Sequence, residues 1–138
     1  MRKPYSKPTF RKRDAREEEG KRLLAQLHGA ERRRSTRVLI QIPIQAYFRN
    51  SDEVEVRSHS FTIAVNAHGC LLAMDIKPDE GQRMRLLNAK SAVEQTGKVV
   101  RVQRSREGFF AVAFEFDSPT PHLWSILTPP EDWLMYKH

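Results

Sequence analysis

The 138-residue chain contains 24 Lys/Arg, 17 Asp/Glu and one cysteine, and its formal net charge is +7. This length suits one domain with a tail, and the single cysteine excludes an intrachain disulfide framework or a multi-cysteine zinc site. No apolar run approaches the roughly 18 residues that span a bilayer, and the basic N-terminus lacks the apolar stretch of a secretory signal. We therefore expect a cytoplasmic protein.

The positive charge is concentrated near the N-terminus. Residues 1–37 contain thirteen Lys/Arg and five Asp/Glu, whereas residues 38–138 contain eleven and twelve. The first segment thus has a net charge of +8 and the remainder is almost neutral. This distribution favours a basic arm that meets an anion, such as a nucleotide phosphate, a nucleic acid, an acidic partner or a membrane surface.

Residues 1–30 are predicted to form this arm, which is partly disordered and includes a short helix over about 14–28. Asp14 can cap the helix, with Glu17 three residues later as a capping box requires, and Gly29 can end it. The first thirteen residues show no apolar periodicity and are expected to be disordered.

From Val38 the apolar residues recur with a period of two, which predicts β-strands. A long first strand is predicted over 38–48, with Pro43 marking an edge or a bulge. A second strand is predicted over 55–66, with Phe61, Ile63 and Val65 on one face. The other strands are predicted at 70–74, 82–87, 97–103 and 110–116.

Thr120-Pro121 is a suitable start for a short C-terminal helix, which Pro129-Pro130 ends. Six short strands with no long helix between them predict a mainly β fold, an antiparallel sheet closed or nearly closed into a small barrel. The predicted domain covers residues 31–138.

Two short motifs carry candidate chemistry. Arg33 and Arg37 are four residues apart with Arg34 between them, and guanidinium groups bind phosphate in a bidentate manner and pair with the guanine edge. The second motif ends the predicted second strand, where Ala64 and Asn66 share a face and Gly69 permits a tight turn. Taken separately, a solvated basic linker and an ordinary strand–turn–strand are the more common explanations.

Taken together, the order and spacing of these segments resemble the PilZ domain, a small β-barrel family of bacterial receptors for cyclic diguanylate (c-di-GMP). The resemblance covers about residues 31–133 and includes the Gly-Phe-Phe-Ala-Val-Ala-Phe-Glu-Phe segment at 108–116 as the last barrel strand. It also includes the ending from Pro121 to Trp133. The implied fold is a six-stranded antiparallel PilZ-like β-barrel, with the basic arm before it and a short helix after it.

The resemblance implies that Arg33 and Arg37 engage the ligand, assisted by Arg34. The second family motif is Asp/Asn-x-Ser-x-x-Gly, and alignment on Gly69 places Ala64 and Asn66 at its first two polar positions. Loss of a hydrogen bond at Ala64 is expected to weaken binding about ten- to a hundred-fold, which Asn66 could partly recover. The implied c-di-GMP site consists of Arg33, Arg34, Arg37, Asn66, His68 and Gly69.

No catalytic constellation and no metal-ligand spacing among the five histidines is visible, and Cys70 is expected to be a core thiol. The sequence therefore predicts a non-enzymatic signalling module without a cofactor. Its ligand phosphates would order the arm, reposition the helix at about 14–28 and change a surface for an effector protein. Two alternatives stay open: a degenerate PilZ-like adaptor that does not bind c-di-GMP, and a basic arm that binds nucleic acid.

Overall fold

The computed structural model describes residues 18–22, 35–124, 126 and 129–136. Residues 18–22 are helical, and seven strands and two short 3₁₀ helices follow. The strands are β1 (Val38–Leu39), β2 (Pro43–Arg49), β3 (Glu55–Asn66), β4 (Gly69–Met74), β5 (Arg83–Asn88), β6 (Val93–Arg104) and β7 (Phe110–Phe116). The 3₁₀ helices are Pro121–Trp124 and Glu131–Tyr136.

The strands form one antiparallel sheet in the order β1-β3-β2-β5-β6-β7-β4. A further pairing of β3 with β4 closes six of these strands into a barrel, and β1 is an additional strand at the end of β3. This confirms the predicted six-stranded antiparallel β-barrel. No helix within the described part of the chain is long and apolar enough to cross a membrane.

The first predicted strand is wrong as a continuous element, because it is divided into β1 and β2. The side-chain hydroxyl of Thr62 accepts a hydrogen bond from the Ile42 N–H (2.8 Å) and donates one to the Ile40 carbonyl (2.6 Å). These contacts replace the regular ladder, and the register with β3 shifts by one residue between Leu39↔Ala64 and Pro43↔Phe61. The expected bulge at Pro43 is thus present, immediately before β2.

The predicted face of β3 is also corrected, because a register shift lies between Thr62 and Ala64 in its pairing with β4. Phe61 is exposed, Val65 belongs to the core inside the barrel, and Ile63 belongs to a different cluster. An irregularity moves the residues beyond it to other faces of the sheet, so one alternating pattern does not describe the whole strand.

Two apolar clusters result. The larger one fills the barrel and includes alternate residues of β4 and β7, such as Leu72 and Val112. The smaller one lies on the outer face of β3, β4 and β7. It consists of Ile63, Leu71, Ala73, Phe109, Ala111 and Ala113.

The helical residues 18–22 dock beside this outer cluster. A Cβ on Gly20 would overlap the Ile63 Cγ2 methyl, so the helix backbone approaches the barrel very closely. The Glu19 carboxylate accepts hydrogen bonds from the Arg106 backbone N–H (2.6 Å) and from the Arg22 guanidinium (2.8 and 2.7 Å). The remaining parts of the helix predicted over about 14–28 lie outside the described residues.

The C-terminal region differs from the single predicted helix. It contains one turn of 3₁₀ helix at Pro121–Trp124 and a second 3₁₀ helix, Glu131–Tyr136, that the sequence pattern did not indicate. Asn88 joins the first of these to the barrel, because its side-chain amide donates to the Leu123 carbonyl (2.9 Å). The strand predicted at 97–103 is also longer than expected, because β6 already begins at Val93, which pairs with Asn88 of β5.

Candidate functional site

The Arg33–Arg37 segment meets the Asn66–Gly69 turn through Ser35, which is only 2% exposed. The Ser35 Oγ accepts a hydrogen bond from the Ala67 N–H (3.2 Å) and lies 3.1 Å from His68 Nδ1. The centre of the first motif is therefore bonded directly to the second, although more than 30 residues separate them. This juxtaposition places the last arginine of the basic segment at the end of the barrel where β3 turns into β4.

Asn66 shapes the turn through its side-chain oxygen. Its Oδ1 accepts hydrogen bonds from the backbone N–H groups of His68 and Gly69, both at 2.9 Å. Its Nδ2 lies 3.4 Å from the Ser35 carbonyl. The side-chain oxygen that the sequence suggested for a guanine edge is thus engaged in an Asx turn.

Gly69 is needed for close packing. Its φ is not among the positive values, and a Cβ at this position would overlap the Phe114 carbonyl oxygen on β7. The expectation that Gly69 serves the turn is therefore corrected: a side chain there would push β4 away from β7.

Ala64 is 1% exposed and pairs with Leu39 on one side and Leu71 on the other. The first polar position of the second motif is accordingly an apolar, covered position in this chain. A carboxylate introduced there would have to be buried between two strands, at a considerable cost in solvation.

The C-terminal region completes the site, and sequence reasoning missed this contribution. The Trp124 indole N–H donates to the Asn66 carbonyl (2.9 Å), and the Trp133 indole N–H donates to the Thr36 carbonyl (2.6 Å). Asp132 Oδ2 accepts from both the Thr36 N–H and the Thr36 hydroxyl, each at 2.9 Å. The sequence offered the ending from Pro121 to Trp133, in which Trp124 and Trp133 are expected to pack over the end of the barrel, but not their hydrogen bonds to the two motif segments.

The arginines themselves are placed unequally. Arg37 is half-buried just before β1, whereas Arg33 and Arg34 lie outside the described residues. His68 stands beside Ser35, so of the six residues predicted for the site the structure brings Arg37, Asn66, His68 and Gly69 to one end of the barrel.

Three other features of the described residues bear on function: a surface groove, the metal-ligating side chains and Cys70. An open groove of about 680 Å³ is lined by residues such as Tyr47, Arg49 and Arg83, at the end of β2 and β3 remote from Asn66. No group of three His, Cys, Asp or Glu in the described part of the chain could hold a metal ion. Burial raises the pKa of the Cys70 thiol, in agreement with a packed side chain rather than a nucleophile.

These observations define a class of protein: a small closed antiparallel β-barrel, in which residues 35–37 of the basic segment are bonded across one end. The chain belongs to the PilZ domain family, because the PilZ domain model matches residues 31–128. No curated protein matches the chain.

Solved structures that are similar to this chain include two of YcgR. One is the PilZ domain with c-di-GMP of YcgR from Escherichia coli, with 15% identity and a TM-score of 0.48 over 68% of this chain and 84% of that chain. The other is YcgR in complex with c-di-GMP from Escherichia coli, with 14% identity and a TM-score of 0.49. That match covers 78% of this chain and 43% of the YcgR chain, so this chain spans less than half of the YcgR structure.

Proposed function

We propose that this chain is a non-enzymatic, cytoplasmic signalling module that binds c-di-GMP through the Arg33–Arg37 segment and the adjoining end of the barrel. Membership of the PilZ family supports this ligand. The observation that carries the proposal is the direct bonding of Ser35 to Ala67 and His68, which joins the two halves of the family motif in one place.

The chemistry at this place suits an anionic nucleotide. Arg33, Arg34 and Arg37 supply guanidinium groups from a segment whose net charge is strongly positive, and guanidinium groups bind phosphate with two parallel hydrogen bonds. The His68 ring lies beside the segment and can offer a flat surface to a base. We further propose that residues 1–30 act as the arm of a domain at 31–138, and that ligand binding changes a surface for an effector protein.

Titration calorimetry with c-di-GMP tests the proposal. Arg33→Ala and Arg37→Ala are each expected to weaken binding by at least about tenfold, because each loses charge-assisted hydrogen bonds. Arg57→Ala is the matched control, since Arg57 is an exposed arginine on β3 away from the Asn66 end. Absence of heat from the folded wild type at sub-millimolar c-di-GMP would reject the receptor function.

A second candidate, an adaptor that acts through protein contacts without c-di-GMP, is favoured by the state of the second motif. Ala64 is covered, and the Asn66 side-chain oxygen Oδ1 accepts two hydrogen bonds within the turn. If the chain is such an adaptor, titration of the wild type with c-di-GMP is expected to give no heat although circular dichroism shows a folded barrel. Replacing Ala64 by Asp is a poor rescue, because this position is buried between Leu39 and Leu71.

A further inference from the structure

The second 3₁₀ helix, Glu131–Tyr136, holds Thr36, the residue between Ser35 and Arg37. Both backbone polar groups of Thr36 are bonded to it, the N–H to Asp132 Oδ2 and the carbonyl to the Trp133 indole N–H. Trp133 is fully buried, so this contact is anchored in the barrel core. Asp132 and Trp133 lie 96 and 97 residues after Thr36 in the chain.

We propose that Asp132 and Trp133 form a latch on Thr36 that sets the affinity of the arginine segment for its anionic ligand. This inference rests on the proposed function. The latch acts first by positioning, because it fixes the backbone one residue before Arg37. A segment that is already ordered loses less conformational entropy when a ligand binds, which favours binding.

Asp132 also acts in the opposite direction through its charge. Its carboxylate is bonded to Thr36, one residue before Arg37, and a nearby negative charge repels an anionic ligand. Its second oxygen, Oδ1, is buried and has no hydrogen-bond partner among the described residues. Asp132 therefore has two opposing effects: the hydrogen bonds of Oδ2 hold Thr36, and the charge of the whole carboxylate lowers the affinity for phosphate.

Two substitutions separate these effects. Asp132→Asn keeps an oxygen acceptor for the Thr36 N–H and removes the charge, as Asn replaces Asp in capping interactions. Asp132→Ala removes both. Glu131→Gln is the matched control, because it removes one charge from the adjacent residue, whose side chain is exposed.

In calorimetric titrations with c-di-GMP, Asp132→Asn is expected to bind about three- to tenfold more tightly than wild type, because it removes one negative charge close to the arginine segment near the protein surface. Asp132→Ala is expected to bind at least about tenfold more weakly than Asp132→Asn, because the Thr36 contact is lost. Glu131→Gln should stay within about twofold of wild type. Equal changes for the Asn and Ala variants would overturn the proposal.

A measurement without ligand distinguishes failure of the latch from failure of the proposed function. Amide hydrogen exchange at Thr36, followed by NMR, should be slow in wild type and in Asp132→Asn and at least about tenfold faster in Asp132→Ala. Unchanged exchange in Asp132→Ala would refute the latch even if c-di-GMP binds. If the wild type gives no heat but Asp132→Asn does, the latch charge is supported, and if neither does, the proposed function fails and exchange alone decides the positioning role.

Discussion

Replacing Ser35 by Ala removes the hydroxyl that joins the arginine segment to the turn. The Ser35 Oγ accepts a hydrogen bond from the Ala67 N–H, and Ala67 is fully buried. Without this acceptor the N–H is left buried and unpaired, which costs about 1–3 kcal/mol in the free energy of unfolding. The contact of Ser35 with the His68 ring, at 3.1 Å, is lost as well. We therefore expect both lower stability and weaker binding of c-di-GMP.

Urea denaturation of Ser35→Ala and Ser60→Ala measures this contribution. Ser60 is a matched control because it is 1% exposed, and its hydroxyl makes a long contact of 3.5 Å with that of Ser58. The Ser60 variant is expected to change the free energy of unfolding by less than about 1 kcal/mol. Equal unfolding midpoints and slopes for the two variants, together with wild-type affinity for c-di-GMP, would refute the reasoning that Ser35 joins the two motifs.

Three further perturbations have defined outcomes. Gly69→Ala should destabilise the barrel by about 2 kcal/mol or more in thermal denaturation, because its Cβ meets a backbone carbonyl of β7. Hydrogen bonds from the Arg22 guanidinium and then the Arg106 N–H lower the pKa of Glu19 from 4.5 to about 2. The stabilising effect of this carboxylate is therefore complete above about pH 4.5 and is lost as the pH falls toward 2, which hydrogen exchange at the Arg106 amide should report. Burial raises the pKa of Cys70, so its reaction with a thiol reagent at pH 8 should be slow until the protein unfolds.

Each of these three outcomes has a comparison that can contradict it. Gly81→Ala tests a backbone effect alone, since Gly81 has a positive φ of 87° and an added Cβ would meet no atom within 4 Å. A destabilisation as large as that of Gly69→Ala would argue against the steric explanation. Glu19→Gln should abolish the pH dependence of the protection of the Arg106 amide, its exchange rate relative to that of an unfolded chain at the same pH, between pH 4.5 and 2, and an unchanged profile would assign it to another group. Rapid modification of Cys70 in the folded protein would show that its side chain is accessible.

The regular parts of the barrel could be predicted from the sequence. The bounds of β3 and β7 are those expected, because turn residues delimit both segments: Asn50-Ser51-Asp52 before β3 and Ser105–Gly108 before β7. The break between β1 and β2 could not be predicted in the same way. It depends on one hydroxyl, that of Thr62, which bonds two backbone groups of another strand, and an apolar pattern carries no information about such a competitor.

The candidate site shows a similar division. The arginine segment and the Asn66–Gly69 turn were identified from their order and spacing, and the structure places the described part of one against the other. The contribution of Asp132 could not be found in this way, because its partner Thr36 is 96 residues distant and a lone Asp after two prolines has no distinctive spacing. Only the folded chain shows that its carboxylate is bonded to Thr36, one residue before Arg37.

The positions of the two anchored segments bear on how a ligand would change a distant surface. Ser35 is bonded to the turn, and Glu19 is bonded to Arg106 beside the outer cluster. The twelve residues at 23–34 join them in the sequence and include Arg33 and Arg34. A change in hydrogen exchange at the Arg106 amide when c-di-GMP is added would show that binding is transmitted to the docked residues 18–22, and unchanged exchange would show that the Glu19–Arg106 contact takes no part in the response.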